Sequence, residues 1–480
     1  MARSPAWRPV GSCQGREAVD FDLVVRGGRL VTAESSFDAD LGVKDGKIAA
    51  IAGELSQANE SRTIDARGLL VFPGAIDVHT HFATNVGEGS TADDYESGSR
   101  AAAAGGITSF VNFAFQRRGK SLRDAIDAEL AKAQGKSHVD YGVHIVVTDI
   151  EPAGVLDEIG PLADEGFPSL KLFTTIEDFR LTDEQILRVL GTAAQHRVIV
   201  NVHAEDDGLI RHLTSELLRQ GKTEVSNLYD ARPPEAEALA TARIAAYAKA
   251  VGSVVYFVHL SCALALDAVR RARAAGGQVY VETRPAYLYL DRGRYQLPGR
   301  EGNKYVTWPP LRESADQLAL WEGLRNGEIQ TYATDHTTWK AAQKMNPALT
   351  FAEIPGGVSN VQTSIGMLFC EGVAKGRLTE NQFAAICSTN PAKLFGLWPS
   401  KGTLAVGADA DIMVIDPKRR FSIKSAAMES QSDYDPYEGY DATGWPSTVI
   451  SRGEVIVDDG RVRSRPGRGA LLRRGRYRPV

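Results

Sequence analysis

The chain reads as an α/β protein: a closed (β/α)8 TIM barrel beside a small β-sandwich domain assembled from its N- and C-terminal segments. Three observations predict this. Between residues 71 and 399 short apolar runs alternate with helical patterns, and eight such runs are present. Regular strand–helix alternation favours a parallel sheet, and eight repeats favour a closed barrel over an open one. On either side, over residues 21–70 and 400–460, the rhythm is that of short strands and turns, and the simplest arrangement joins these two ends in one sandwich.

Taken in order, residues 1–20 are expected to be a loose leader. "FDLVVRGGRLVTAE", "ADLGVKDGKIAAIAG" and "RTIDARGLLVFPG" are β-rich segments split by Gly, Asp and Lys turns, as in a small antiparallel sheet. The barrel strands follow as "GAIDVHTHF", "GITSFVNFA", "YGVHIVVTD", "PSLKLFTT", "VIVNVHAED", "SVVYFVHLSC", "QVYVETRP" and "IQTYATDHT". The helices between them include "LRDAIDAELAKAQ", "TDEQILRVLGTAAQH", "PEAEALATARIAAYAKAVG" and "CALALDAVRRARAAG". Strands return in "KGTLAVGADADIMVIDP" and "WPSTVISRGEVIVDDGR". Residues 461–480 carry eight arginines and no acidic residue, and read as a solvated or subunit-binding tail. With no aromatic interleaving and no second basic patch, a nucleic-acid arm is not expected.

Composition excludes whole classes of partner. The net charge of −5 offers no global attraction to nucleic acid or anionic membranes. The first twenty residues hold no apolar core of a secretory signal, and no apolar run is long enough to span a bilayer. A cytoplasmic protein is expected, with Cys13, Cys262, Cys370 and Cys387 as reduced thiols, since none are in Cys-x-x-Cys spacing.

The first barrel strand ends in His79 and His81, and residues i and i+2 of a strand share a face. Barrel active sites lie at the carboxyl ends of the strands, so the other strand ends test this pair. They supply Lys171, His203, His259 and Asp335. Histidine nitrogens and carboxylate oxygens are the usual ligands of zinc and related ions. Lys171 stands in an apolar strand between Leu170 and Leu172, where an ammonium needs a partner or a depressed pKa. A neutral amine beside metal ions can take up CO2, and the resulting carbamate can bridge two cations. His138, His144, His196 and His212 lie away from the rim and read as structural, whereas His336 faces away from Asp335 and reads as a support behind the ligands.

At this point "GAIDVHTHF", "SLKLF", "VHAED", "VHLSC", "VETRPAYLYLD", "WPPLR" and "TDHTT" resemble, in order and approximate spacing, the motifs of dihydropyrimidinases, hydantoinases and allantoinases in the amidohydrolase superfamily. The resemblance spans residues 21 to about 460. It implies two divalent metal ions, zinc foremost with Mn, Fe or Co as alternatives. His79, His81 and Asp335 would hold one, His203 and His259 the other, with N6-carboxylated Lys171 bridging them. It also implies a homotetramer or homodimer. A hydroxide shared by two cations would attack a cyclic amide, ureide or imide, with Asp335 as general base and acid.

Two departures bear on the substrate. Where dihydropyrimidinases and hydantoinases carry an oxyanion-stabilising tyrosine, five positions after the bridging lysine, this chain has Ile176, as allantoinases also lack that tyrosine. Thr174 and Thr175 are the expected substitutes. The substrate turns, usually Ser-Pro-Pro and Pro-Asn-Gly, here carry Trp308 for the serine and Gly356 for the asparagine. Phe173 and Trp308 are expected at the pocket, and Ala83 stands where dihydroorotase places a carboxylate-gripping arginine. The loop "ATNVGEGSTADDYESG" has the composition of a lid. Two further readings stay open: an allantoinase-like ureide hydrolase, to which "GGVSNVQTS" is similar, and a non-catalytic scaffold like the neuronal relatives of dihydropyrimidinase.

Overall fold

Eight strands, Ala75–Thr80, Ile107–Phe115, Asp140–Val146, Ser169–Phe173, Ile199–His203, Val255–Phe257, Val279–Thr283 and Thr331–Tyr332, pair in sequence order as a parallel sheet. The structure, a computed structural model, describes residues 20–56, 59–86 and 89–480. The expected leader, apart from Asp20, and Cys13 therefore lie outside the described residues. The barrel closes where Thr80 and His336 form a parallel bridge, and where Asp77 accepts bonds from the Thr334 amide (3.1 Å) and hydroxyl (2.6 Å). Helices cover the outside, so the strands are buried along nearly their whole length, as their continuous apolar runs require.

The helices begin where the sequence supplies caps. Ser121 and Asp124 form a capping box for Leu122–Ala133, Thr182 and Gln185 another for Asp183–Gln195, and the Asp206 side chain caps Asp207–Arg219. Pro234–Val251 ends at Gly252, whose left-handed φ of 72° terminates the helix without a Cβ penalty. His212, read as structural, falls inside the helix Asp207–Arg219 and is exposed.

The two β-rich ends do join. Ile412–Ser422 pairs antiparallel with Leu70–Pro73 inside one nine-stranded sheet, which encloses its own core of Val25, Leu41, Val43, Val71, Ile412 and Val414. The sheet is mixed rather than purely antiparallel: Leu23–Val31 runs parallel to both Thr63–Asp65 and Leu70–Pro73. The hairpin Ser36–Lys44 and Lys47–Ala52 occupies one side of that strand, so the returning chain reaches its other side running in the same direction. Lys401 pins sheet to barrel: its buried ammonium meets Asp411 (2.5 Å), Asp140 at the start of the third barrel strand (2.9 Å) and Asp409 (3.3 Å).

The basic tail is partly solvated, with Arg461, Arg463, Arg465, Arg473 and Arg478 exposed, and is also tied to the barrel by backbone bonds. Tyr141 N–H donates to Ala470 O (3.0 Å), Leu472 N–H to Tyr141 O (2.7 Å) and Gly475 N–H to Gly396 O (2.8 Å). Arg474 is 3% exposed and inserts under the barrel, where it reaches Ser169 Oγ (2.8 Å). The amino ends of barrel strands present unpaired backbone groups, and the tail satisfies them within its own chain. In the lid loop, Asn85–Val86 and Gly89–Ser90 pair as a short hairpin whose tip lies outside the described residues. Cys262, Cys370 and Cys387 are buried and unbridged. Among the described residues no helix is long and apolar enough to cross a membrane.

Candidate active site

His79, His81, Lys171, His203, His259 and Asp335 all line one cavity of about 550 Å³ at the carboxyl rim. Asp335 Oδ1 lies 3.2 Å from His79 Nε2 and 3.1 Å from His81 Nε2, so the strand-spaced pair does converge on one carboxylate oxygen. Opposite them, His203 Nδ1 and His259 Nε2 face each other at 3.0 Å. His259 and Asp335 hold left-handed φ values of 42° and 49°, strained for residues with a Cβ, and such strain concentrates at working sites. Both lie just past their strands, where the chain must turn outward while the side chain still points into the barrel.

A layer of carboxylates orients the imidazoles. Glu282 accepts from His79 Nδ1 (2.8 Å) and from the His259 backbone N–H (2.9 Å), leaving His79 Nε2 aimed at Asp335. Glu205 meets His203 Nε2 at 2.7 Å, leaving Nδ1 aimed at His259, and Arg232 grips Glu205 from behind. Such partners fix the ring orientation of metal-binding histidines. Arg284, fully buried, pairs with Asp335 Oδ2. None of Glu205, Arg232, Glu282 or Arg284 was expected from the sequence. The rim rule applied to the seventh strand points to Glu282 and Arg284 in "VETRP", and the i, i+2 rule points from His203 to Glu205.

Burial shapes the charge of the site. It pulls the Lys171 amine down to about 7, with Asp335 and Glu282 pulling the other way. It pulls His81 to about 4 and His203 and His259 below their usual range. For Asp335 burial opposes ionisation, yet the Arg284 guanidinium and His79 outweigh it and hold the carboxyl well below the usual range. Among the described residues the Lys171 ammonium makes no hydrogen bond or ion pair, its Nζ lying 4.9 Å from the Phe173 ring and 5.4 Å from the Phe113 ring. His259 Nδ1 is buried without a partner. His79 goes the other way: burial lowers its pKa, but Glu282 and Asp335 outweigh burial and raise it. Three imidazoles favoured as neutral, an ionised carboxylate and a lysine free to be neutral form a donor set suited to divalent cations. His79, His81 and Asp335 form such a group, their donor atoms all within 4.8 Å of one another.

The expected substrate contacts divide. Phe173, Trp308 and Gly356 line the cavity with Phe115, Phe179 and Trp339. Thr174 and Thr175 do not: the Thr174 hydroxyl donates to His203 O (3.0 Å) and Glu205 O (2.7 Å), and Thr175 donates to Asp207 (3.0 Å). Both hydroxyls are spent on the end of the next barrel strand and the segment after it, toward which the bend after Phe173 turns them, so neither replaces the tyrosine. Ile176 lines the cavity, with an unusual φ of 72° for a β-branched residue. His336 touches no ligand side chain. Its Nε2 meets Asp93 (2.9 Å), its Nδ1 accepts from the Asn360 and Val361 amides, and its carbonyl accepts from His81 N–H (2.9 Å). It therefore supports the site through the backbone of His81.

An eight-stranded parallel barrel with this donor set at its carboxyl rim defines a barrel hydrolase with a candidate metal centre. The model of the amidohydrolase family matches residues 70–456, and the chain belongs to that family. It is 42% identical to the D-hydantoinase of Rhizobium radiobacter over 462 residues, covering 95% of this chain and 100% of the relative. It is 37% identical to the D-phenylhydantoinase of Escherichia coli O9:H4 (strain HS), covering 95% and 99%. Among solved structures, D-hydantoinase from Bacillus sp. AR9 superposes with a TM-score of 0.93 at 39% identity, over 95% of this chain and 100% of that one. Dihydropyrimidinase from Brevibacillus agri NCHU1002 gives 0.93 at 38% identity, over 95% and 99%.

Proposed function

We propose that this protein is a metal-dependent cyclic amidohydrolase that opens the ring of hydantoins and dihydropyrimidines. The observation that carries this reading is the convergence of His79, His81, Lys171, His203, His259 and Asp335 on a single cavity. The curated relatives named D-hydantoinase at 41–42% identity support hydantoins as the first substrates to try, and the D-enantiomer as the preferred one. His79, His81 and Asp335 would hold one divalent ion and His203 and His259 a second, with carboxylated Lys171 between them. Zinc is the proposed metal, since histidine nitrogens and carboxylate oxygens are among its usual ligands.

The metal pair would supply an acidified water and polarisation of the ring carbonyl. The chain does the rest. Water oxygen adds to the carbonyl carbon, the ring C–N bond breaks, and the products of that bond are a carboxylate and an N–H. Asp335 Oδ1, on the histidine side of the carboxylate, takes the water proton and returns it to the departing nitrogen. Arg284 on the other oxygen holds the carboxylate in that orientation. The aromatic walls Phe115, Phe173, Phe179 and Trp339 keep bulk water from the ring.

Metal-loaded protein tested on hydantoin, 5-substituted hydantoins, dihydrouracil, allantoin and succinimide, with chiral analysis of product, tests the reading. Hydrolysis of a 5-substituted hydantoin supports it; turnover of allantoin alone selects the allantoinase-like alternative; no turnover and no bound metal select the scaffold. A cytoplasmic location is proposed from the unbridged buried Cys262, Cys370 and Cys387. A homotetramer or homodimer is proposed, supported by exposed Leu239 (55%), Leu264 (39%) and Leu318 (70%) on neighbouring helices.

A further inference from the structure

Trp308 belongs to two cavities at once. One is the catalytic cavity; the other, of about 360 Å³, is floored by the apolar Ile210, Leu228, Phe351 and Ala352 and edged by the charged Glu177, Asp207, Arg211 and Arg232. Among the described residues, only Trp308 and Ile176 line both. The indole is thus a partition between the reacting centre and a side chamber with an apolar floor.

The partition is held from several directions. Gly356 lies against the ring: a Cβ built there would sit 3.1, 3.3 and 3.4 Å from indole Cδ2, Cγ and Cε2. Gly356 is outside the left-handed region, unlike Gly357 at φ 119°, so its backbone conformation does not demand glycine, and a Cβ there would require the indole to shift by a few tenths of an ångström. The two turns cannot drift apart to make room. Gly357 N–H donates to Val306 O (3.0 Å), and the buried Lys344 ammonium binds both Val306 O (2.9 Å) and Gly357 O (2.6 Å). The Arg232 guanidinium lies 5.2 Å from the indole centroid and is itself anchored on Glu205, the carboxylate that orients His203.

We propose that Trp308 and Gly356 are a size-matched pair, and that Trp308 sets the reach of the substrate's substituent by closing off the side chamber. Removing the indole opens that chamber as a subsite for an extended arylalkyl group, the class its apolar floor would take. For its substrate this inference rests on the hydrolase reading; for the partition it rests on packing alone.

Two measurements test it in the full-length, metal-loaded protein. In the first, Trp308→Ala is expected to raise the kcat/KM ratio of 5-(4-phenylbutyl)hydantoin to 5-methylhydantoin by about tenfold or more, the scale on which pocket size discriminates. In the second, a double-mutant cycle read by thermal denaturation, Gly356→Ala is expected to lower Tm beside Trp308 and to leave it unchanged in the Trp308→Ala background. An unchanged substrate ratio, or equal Tm losses from Gly356→Ala in both backgrounds, overturns the proposal. If the parent enzyme hydrolyses no cyclic amide, the hydrolase reading falls, and the Tm cycle still decides whether the two residues are matched.

Discussion

The Arg284 guanidinium, with no solvent exposure, pairs with one oxygen of Asp335 while the other oxygen meets His79 and His81. Its Nε and Nη2 have no hydrogen-bond partner among the described residues, so Asp335 is its one polar anchor, beside the Tyr287 ring at 4.6 Å. A charge buried at the cost of two unmatched donors is explained by what it does to its neighbour: it orients the carboxylate that handles the proton. Arg284→Gln is expected to lower kcat/KM by roughly 10–100-fold, the usual penalty for losing a partner behind a metal-site residue. Asp335→Asn is expected to lose about 10²–10⁴-fold with the circular dichroism spectrum unaltered. Wild-type kcat/KM in the glutamine variant refutes the role of Arg284.

Lys171 is the most conspicuous cost in the barrel, an amine drawn down to about 7 by burial and lacking a partner among the described residues. Replacing it by Met removes a group that is costly to bury, so Tm of the metal-free protein is expected to hold or rise. Metal content, by contrast, is expected to fall from about two ions per chain to one or fewer. Elemental analysis reads the second outcome, and carbon-13 NMR after bicarbonate labelling reads the carbamate in the parent alone. Full metal content in Lys171→Met removes the lysine from the site.

The junction between sheet and barrel depends on one ammonium. Lys401 faces Asp140, Asp409 and Asp411, and burial alone would lower its pKa, yet those carboxylates raise it. Lys401→Met leaves the aspartates uncompensated and is expected to cost about 3–5 kcal/mol in urea unfolding. A loss under about 1 kcal/mol would place this cluster among surface-like ion pairs.

Asp435 gives the protein a stability slope with pH. Burial raises its carboxyl to about 7, outweighing the Tyr437 amide that bonds to it. Below the unfolded value near 3.8 the group is protonated in both states and contributes nothing. As pH rises toward 7 the unfolded chain gives up the proton first, so stability falls with pH, by up to 1.4 kcal/mol per unit on the order-of-magnitude linkage scale. Asp435→Asn is expected to remove that fall: its stability relative to the parent rises between pH 5 and pH 7. A constant difference across that range rules out Asp435 as the source.

Most of the fold was legible because its signals are local. Apolar runs, helix caps such as Ser121 and Thr182, and the eightfold alternation are all written within a few residues of where they act. So was most of the candidate site, since one rule, the last polar residue of each strand, located His79, Lys171, His203, His259 and Asp335. Arg284 and Glu282, at the end of the seventh strand, act through Asp335, His79 and the His259 backbone, a relation visible only once the barrel closes. The threonines after Phe173 misled for another reason. Adjacency to Phe173 in sequence suggested the pocket, whereas the fold turns Thr174 to the His203 and Glu205 carbonyls and Thr175 to the Asp207 carboxylate.

By itself, then, the order of residues determined which elements form and which side chains stand at the barrel rim, because helix and strand periods are properties of neighbouring residues. Tertiary structure alone decided the parallel pairings of Leu23–Val31, the tail folded under its own barrel, the Arg284–Asp335 pair and the Trp308 partition. Each of these depends on two stretches far apart in the chain arriving in register, and only closure of the barrel brings them together.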